Sequence, residues 1–451
     1  MRITNLLPKL RKRRRSKVDF DLSTKTACLV DNGLFVELGI RLARDFGRVL
    51  YYNPGNQKGF PTITEAMIGD GMGEIERIDS FWPLKNEIDC FVFPDINSSA
   101  IQLELISQGK PVWGSRAADR LEQYRAEFKG ILMELGLEVG PYKVCHGLDE
   151  LKAFLFNKKD RWIKFSKYRG SFETRGWVDY DTSRDVFDLL AIKFGPAQNI
   201  VNFIVEETIK TKVEWGYDGY FAGGKFPARS AQGVEEKDKC YIGAITEWAD
   251  LPSEVRMINE AITPILAKFG YANFWSTELR ITEDDKVYFI DPTCRMPSPA
   301  GEAQMELYGN LSEIIWAGAH GQCLDPEPTA KFCAEAIIDH NGDEQYWRRL
   351  VVSDEVRRFV KLYNVCKIDD AYCIPPLEHS CDSIGAVIGL GDTIEEAIEH
   401  LKENEKALNG QPITIHSEDL ADALAEIHHA DQQGIELTNE PVPDPAVVLQ
   451  D

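Results

Sequence analysis

Val287-Tyr-Phe-Ile-Asp291 is four strand-forming residues that end on a carboxylate. Ahead of it, Phe274 to Ile281 has the same character and contains Glu278, and the acidic turn Glu283-Asp-Asp285 joins the two runs. β-branched and aromatic runs bounded by such a turn predict strands over 274–281 and 286–290. Working upstream, Asn202-Phe-Ile-Val-Glu206 ends on Glu206 and Glu207, and Trp162-Ile-Lys-Phe165 is a strand that contains Lys164. A polar loop with Lys167, Gly170 and Ser171 follows it. Separated carboxylates can hold magnesium, while a lysine and glycine-exposed backbone N–H groups can hold phosphates. The pattern points to a nucleotide-handling enzyme. The plain alternative for each acid is a surface carboxylate at a strand end.

Outward from these runs, the chain divides into five parts. A basic tail covers 1–19. Over 20–118, Thr26-Ala-Cys-Leu-Val30 is a buried strand, Asp31-Asn-Gly33 a turn, Phe35 to Phe46 a helix and Arg48 to Tyr52 a second strand. Asp89 to Asp95 and Pro111-Val-Trp113 are further strands, with a helix over Ala100 to Gln108 between them. This predicts a small parallel, Rossmann-like α/β domain, although no GxGxxG follows the first strand. Residues 119–330 read as α+β. They have helices over Leu121 to Leu135, Asp149 to Phe156, Ser183 to Phe194, Pro252 to Phe269 and Ser312 to Ala319. A hairpin over Glu214 to Phe226 turns near Ala222-Gly-Gly224. Residues 331–425 read as a small closing α/β domain, in which Asp392 or Thr393, followed by Glu395 and Glu396, caps a helix that runs to about Leu408. Residues 426–451 read as a loose tail.

Charge separates the ends from the body. The 451 residues carry a net −22, yet Arg2 to Lys17 holds eight basic residues and no acid, so the rest carries −30. Such a tail can contact nucleic acid or an anionic surface, or simply be solvated. The acidic body argues against broad nucleic-acid binding. No apolar stretch is long enough to span a membrane, and the tail lacks a signal peptide's apolar region. Ten cysteines without a CxxC pair, several in apolar runs, fit reduced core thiols and a cytoplasmic setting.

The order of these segments resembles the ATP-grasp superfamily over about residues 25–420, and looks most like its phosphoribosylamine–glycine ligase branch. Three stretches carry the resemblance. The first runs from Gly109-Lys-Pro-Val-Trp-Gly-Ser115 through Leu121-Glu-Gln-Tyr-Arg125 to Gly136-Leu-Glu-Val-Gly-Pro-Tyr142. It implies Arg125, or its neighbour Lys129, as a phosphate contact. The second implies that Lys164 contacts ATP and that Lys167, Gly170 and Ser171 form a phosphate lid. The third implies Glu206, Glu207 and Glu214 around adenine and ribose, with Glu278 and Asp291 as the magnesium acids. The family's Glu-x-Asn-x-Arg is replaced by Asp291-Pro-Thr293-Cys-Arg295, which keeps the arginine but shortens the acid and drops the amide. The resemblance implies ATP and Mg2+ as cofactors, Mn2+ being the alternative metal.

The implied reaction is ATP-dependent carboxylate–amine ligation through an acyl phosphate, with Arg295, Lys164 and Arg125 as catalytic charges. Small-molecule carboxylate and amine substrates follow, and a homodimer is a family-level expectation. Asp31, Asn32 and Gly33, with Asp95, end predicted strands where such a ligase handles its sugar phosphate. Arg229 and Ser230, together with Arg295, are expected to contact the acceptor. The segment Met296-Pro-Ser-Pro-Ala-Gly-Glu302 replaces the family's usual glycine- and acid-containing one, which implies a divergent ligase. Two other readings stand beside it: a catalytically impaired ATP-binding scaffold, and a nucleic-acid-associated ATP-dependent modification enzyme or kinase.

Overall fold

The computed structural model describes residues 20–54, 67–165, 174–342, 346–376, 383–438 and 442–443. The basic tail and the loop bearing Lys167, Gly170 and Ser171 lie outside the described residues. Strands β1 (Thr26–Val30), β2 (Arg48–Tyr52), β3 (Glu76–Ile78), β4 (Cys90–Val92) and β5 (Val112–Trp113) form a parallel sheet in the order β3-β2-β1-β4-β5. Its strands are apolar on both faces because both are covered. Ala27 and Leu29 join one apolar cluster, and Cys28 and Val30 join another. The expected Rossmann-like domain is present, with its first helix shortened to Val36–Leu42.

Strands β6 (Tyr142–His146), β7 (Arg161–Phe165), β8 (Thr174–Trp177) and β9 (Asn202–Glu207) make a separate antiparallel sheet, ordered β6-β9-β7-β8. Helix Gly147–Leu155 buries Leu148, Leu151 and Leu155, spaced along one face, and helix Asp185–Phe194 buries Phe187 and Leu190. With Ile163, Phe165, Trp177, Phe203 and Val205 they form this sheet's own core.

The largest sheet uses β10 (Thr211–Phe221), β11 (Arg229–Glu236), β12 (Cys240–Glu247), β13 (Asn273–Thr282), β14 (Val287–Thr293), β15 (Phe332–His340), β17 (Val360–Leu362), β20 (Ser383–Gly391) and β21 (Ile413–Ile415). Its order is β14-β13-β10-β11-β12-β15-β20-β17, with β21 also pairing β15. Strands β16 (Arg348–Leu350), β18 (Cys366–Ile368) and β19 (Ala371–Ile374) form a small sheet ordered β16-β19-β18. Because β12 pairs with β15, the sheet runs without a break across residue 330.

Several elements differ from the sequence reading. The expected helix over 121–135 is two helices, Arg120–Gln123 and Arg125–Glu134, broken at Tyr124 with φ −113° and ψ 69°. Glu214 to Phe226 turns at Gly223 and Gly224 as expected, with Ala222 bridged antiparallel to Lys225, but its arms reach beyond the expected stretch. It belongs mostly to the long strand β10, which pairs with β13 along its length and with β11 beyond the turn. Helix Leu420–Gln432 extends through the start of the expected loose tail. Its Leu420, Ala423, Leu424, Ile427 and Ala430 are buried at helical spacing, each large side chain contributing roughly 1.5–3 kcal/mol. The carbonyl of Leu437 accepts hydrogen bonds from Gln232 at 2.9 Å and Thr246 at 3.2 Å, tying the end of this segment to the central sheet. Of the expected capping residues, Thr393 and Glu396 form the capping box. All nine described cysteines are free thiols. Among the described residues, no helix is long and apolar enough to cross a membrane.

Candidate active site

The break at Tyr124 starts a new helix at Arg125, and the spacing of that helix places Arg125 and Lys129 on one face. Phe128 packs edge-on against Phe289 of β14, with ring centroids 5.2 Å apart, which fixes the helix over the acid-bearing strands. Arg125 then reaches Asp291 Oδ1. One turn on, Lys129 lies 3.0 Å from Glu206 and stacks over Tyr142 at 5.6 Å. From β7, Lys164 donates to Asp291 Oδ2 at 2.5 Å and lies 3.6 Å from Glu206. All three cations are buried.

β13 and β14 pair Glu278 directly with Asp291, and the register shifts immediately after Glu278. Like charges opposite one another weaken a sheet, while a bulge re-aims a side chain. Pro292 is tolerated because β14 is an edge strand. The two acids differ in consequence. Burial and the charges of Asp291 and Glu214 push the Glu278 carboxyl up to about 7. Burial would also raise Asp291, but Arg125 and Lys164 outweigh it and hold that carboxyl down at about 2. Lys164 is held above its ordinary value, because Asp291 and Glu206 outweigh the cost of its burial.

The remaining expected residues divide. Glu207 alternates to the opposite face from Glu206 and pairs with Arg161 at 2.7 Å. Glu214 borders the acids through Arg280, which lies 2.9 Å from Glu214 and 3.6 Å from Glu278. Arg295 donates to Glu122 Oε1 at 2.9 Å, while Glu122 Oε2 accepts from the Cys294 N–H at 2.8 Å. Asp31 and Asp95 sit at the carboxyl ends of β1 and β4, Asp31 2% and Asp95 9% exposed, whereas Asn32 is exposed. Gly33 has φ +115°, and a Cβ there would meet Asn364 Oδ1 at 2.2 Å, so only glycine fits this approach.

The structure does not bring Arg229 and Ser230 to the acids. Arg229 pairs with Glu247 at 3.0 Å, and Ser230 is buried against Tyr217 at 2.9 Å. Arg229 lies four and Ser230 three residues along β11 from Gly233, which is level with Gly216 and hence with Glu278, a displacement along the strand of about 13 and 10 Å. Sequence reading missed Arg280 and Glu122. Arg280 was signalled by its place two residues after Glu278 on one strand face. Glu122 had no local signal, since its partner is 173 residues away.

Among the described residues no three His, Cys, Asp or Glu side chains converge as a metal cage. Glu278 and Asp291 supply two, which is the protein contribution magnesium usually takes beside water and phosphate.

No family model and no curated protein matches the chain. Solved structures do. Phosphoribosylamine–glycine ligase from Thermotoga maritima aligns with a TM-score of 0.63 at 16% identity, over 86% of this chain and 97% of that one. The biotin carboxylase domain of 2-oxoglutarate carboxylase from Hydrogenobacter thermophilus, solved with MgADP, ADP and bicarbonate, gives 0.64 at 12%, over 92% and 99%. N5-carboxyaminoimidazole synthetase from Staphylococcus aureus, complexed with ADP, gives 0.56 at 14%, over 86% and 100%. At such identities the likeness is one of fold, and the fold of this chain is that of the ATP-grasp enzymes.

Proposed function

We propose that the chain is an ATP- and magnesium-dependent carboxylate–amine ligase. The observation that carries the reading is the convergence of Arg125, Lys129 and Lys164 on Glu206 and Asp291, beside Glu278. The ADP and MgADP bound by structural neighbours support the choice of nucleotide and metal. Buried cations clustered on acids suit a site that exchanges internal ion pairs for a polyanion and its metal.

ATP supplies the phosphoryl group, and Mg2+ would be held by Glu278 and Asp291 to offset its charge. The substrate carboxylate attacks the terminal phosphorus, giving an acyl phosphate and ADP. The neutral amine nitrogen then attacks the acyl carbon, the bond from that carbon to the phosphate oxygen breaks, and the departing phosphate takes the proton that the nitrogen loses. Lys164 and Arg125 move from Asp291 to phosphate oxygens, so the site's positive charge is preorganised before the reaction. Lys129 and Glu206 orient the nucleotide. Arg295, held by Glu122, faces charge developing on the acyl phosphate. Lys167, Gly170 and Ser171, outside the described residues, are proposed as the lid that excludes water.

A nucleotide-binding scaffold is the second reading. It is favoured by one observation: Asp291 is already neutralised by two cations. ADP release with MgATP, measured across carboxylate–amine pairs with products followed by mass spectrometry, separates the two. A condensed product that appears with ADP establishes the ligase. ATP binding without ADP release under any pair overturns it in favour of the scaffold.

A further inference from the structure

Strand β21 lies along β15, and the residue after it, His416, leads toward helix Leu420–Gln432. The His416 N–H donates to the Ile337 carbonyl at 3.0 Å, which sets the residue beside β15. Its Nε2 lies 2.8 Å from Asp339 Oδ2 on β15. Its Nδ1 lies 3.0 Å from Oδ2 of Asp419, the residue before the helix. Ionised carboxylates only accept hydrogen bonds, and a neutral imidazole has one N–H to give. Both bonds therefore form together only when the ring carries two protons and a positive charge.

The charges around the ring are these. Lys239, in the turn between β11 and β12, lies 2.7 Å from Asp419 Oδ1, so Asp419 faces a lysine as well as the ring. Glu236 and Asp422 lie near Lys239, and Glu418 is exposed. His340, next to Asp339 on β15, accepts the Gly342 N–H at 2.8 Å and borders Arg348. β21 carries no titratable side chain. Asp339 Oδ1 is buried with no hydrogen-bond partner among the described residues, so this carboxylate is bonded through Oδ2 to His416. Burial alone would lower the His416 imidazole, but Asp339 and Asp419 outweigh it and hold it above its ordinary value.

This joint anchors a long segment. Helix Leu420–Gln432 packs on β10, β11 and β12. His429 Nε2 lies 2.9 Å from the Lys212 carbonyl near the start of β10, and the Leu437 carbonyl is held by Gln232 and Thr246. Gln232 Oε1 in turn accepts from Trp215 Nε1 at 2.9 Å. Trp215 alternates with Glu214 along β10, so it lies on the face of the sheet behind the candidate acids.

We infer that His416, clasped between Asp339 and Asp419, is a pH-operated latch that holds helix Leu420–Gln432 on the back of the sheet below neutrality and loosens it as pH rises. Loss of the ring proton removes one of the two hydrogen bonds and turns a nitrogen lone pair toward a carboxylate. Because the folded value lies above the ordinary 6.5, the stabilisation is fully present below about 6.5 and is lost as pH rises through the folded value. Opening frees the helix and the segment to Leu437 and uncovers the Gln232 and Trp215 side of the sheet, whichever reaction the other face performs.

The test is hydrogen exchange of the full chain at pH 6 and pH 9, with rates corrected to those of an unstructured peptide at each pH. Wild-type protection over 420–432 is expected to fall about three- to tenfold at pH 9, the effect of losing a partly exposed charge pair. Helix Ser253–Phe269, which packs on β10 and β13 of the same sheet, should change less than about twofold. In His416→Gln, neutral at both pH values, protection over 420–432 should be low and equal at both. Asp339→Asn keeps an acceptor for the ring but no charge, and should reduce the fall to less than about twofold. If His416→Gln does not fold, Asp339→Asn decides. A wild-type fall below about twofold, an equal fall in helix Ser253–Phe269, or the wild-type fall in a folded variant overturns the inference.

Discussion

The acids at Asp291 and those at Asp31 are built from similar parts and left in opposite states. Asp291 is met by Arg125 and Lys164, and its carboxyl is held down at about 2. Asp31 is buried with one oxygen unpartnered, and burial and Asp95 push its carboxyl up to about 6. The first site has its countercharge within the chain and can release it to an anionic ligand. At the second, one oxygen of Asp31 is held by neutral donors, the Gly33 and Phe35 N–H groups and the Tyr51 hydroxyl. The difference lies in the cations, whose helix and strand positions the sequence sets independently of the acids.

The largest effect should come from breaking the neutralised side. Asp291→Asn removes the anion that holds Arg125 and Lys164 and would ligate magnesium. Substrate-dependent ADP release should fall at least about a hundredfold, with loss of its dependence on magnesium concentration. Unchanged turnover and metal dependence would remove Asp291 from the mechanism. Lys164→Ala should weaken ATP binding about 10- to 100-fold, measured by calorimetry, since a buried charge-assisted contact is lost. An unaltered dissociation constant would sink that assignment.

Glu122→Gln tests a narrower point. Glutamine still accepts the Cys294 N–H but no longer pairs with Arg295 as a charge. If Glu122 is a positioning residue, kcat should fall about tenfold with the ATP dissociation constant unchanged. Equal loss of kcat and nucleotide affinity would indicate a general structural role instead.

The parts of this site that were legible in sequence were those expressed locally. Glu278 and Asp291 stood out because each belongs to a strand-forming run, and Lys164 because it interrupts another. Arg125 and Lys129 were legible as neighbours on one helix face. The break at Tyr124 was not, because the surrounding residues are good helix formers and the break depends on packing over β14. Strands β11 and β12 escaped because their glycine and polar residues weaken the alternation, while neighbouring strands supply the pairing. Arg229 and Ser230 were placed at the acceptor by order along the chain. Only the register of β11 shows them displaced along the strand from the level of the acids.

The unneutralised side gives a smaller effect, with a sign that can be worked out. Asp31 has a folded value of about 6 against an ordinary 3.8. A raised carboxyl holds its proton more tightly in the folded state. Its stabilising contribution is therefore full below about 4 and is lost as pH rises through 6. Asp31→Asn removes this dependence. Its stability relative to wild type should rise by about 1 kcal/mol between pH 5 and pH 8, read from urea midpoints. A constant difference would show that the Asp31 carboxyl titrates normally.

The smallest effect sharpens the comparison by leaving both sides alone. Arg229 was expected at the acceptor, but the structure gives it an exposed cross-strand pair with Glu247. Such pairs contribute little because solvent screens them and ordering two long side chains costs entropy. Arg229→Ala should leave ADP release within about twofold of wild type and stability within about 0.5 kcal/mol. If turnover instead fell tenfold with stability unchanged, Arg229 would have to reach substrate from about 13 Å along the strand. That would put an acceptor contact on β11, displaced along the strand from the acids of β13 and β14.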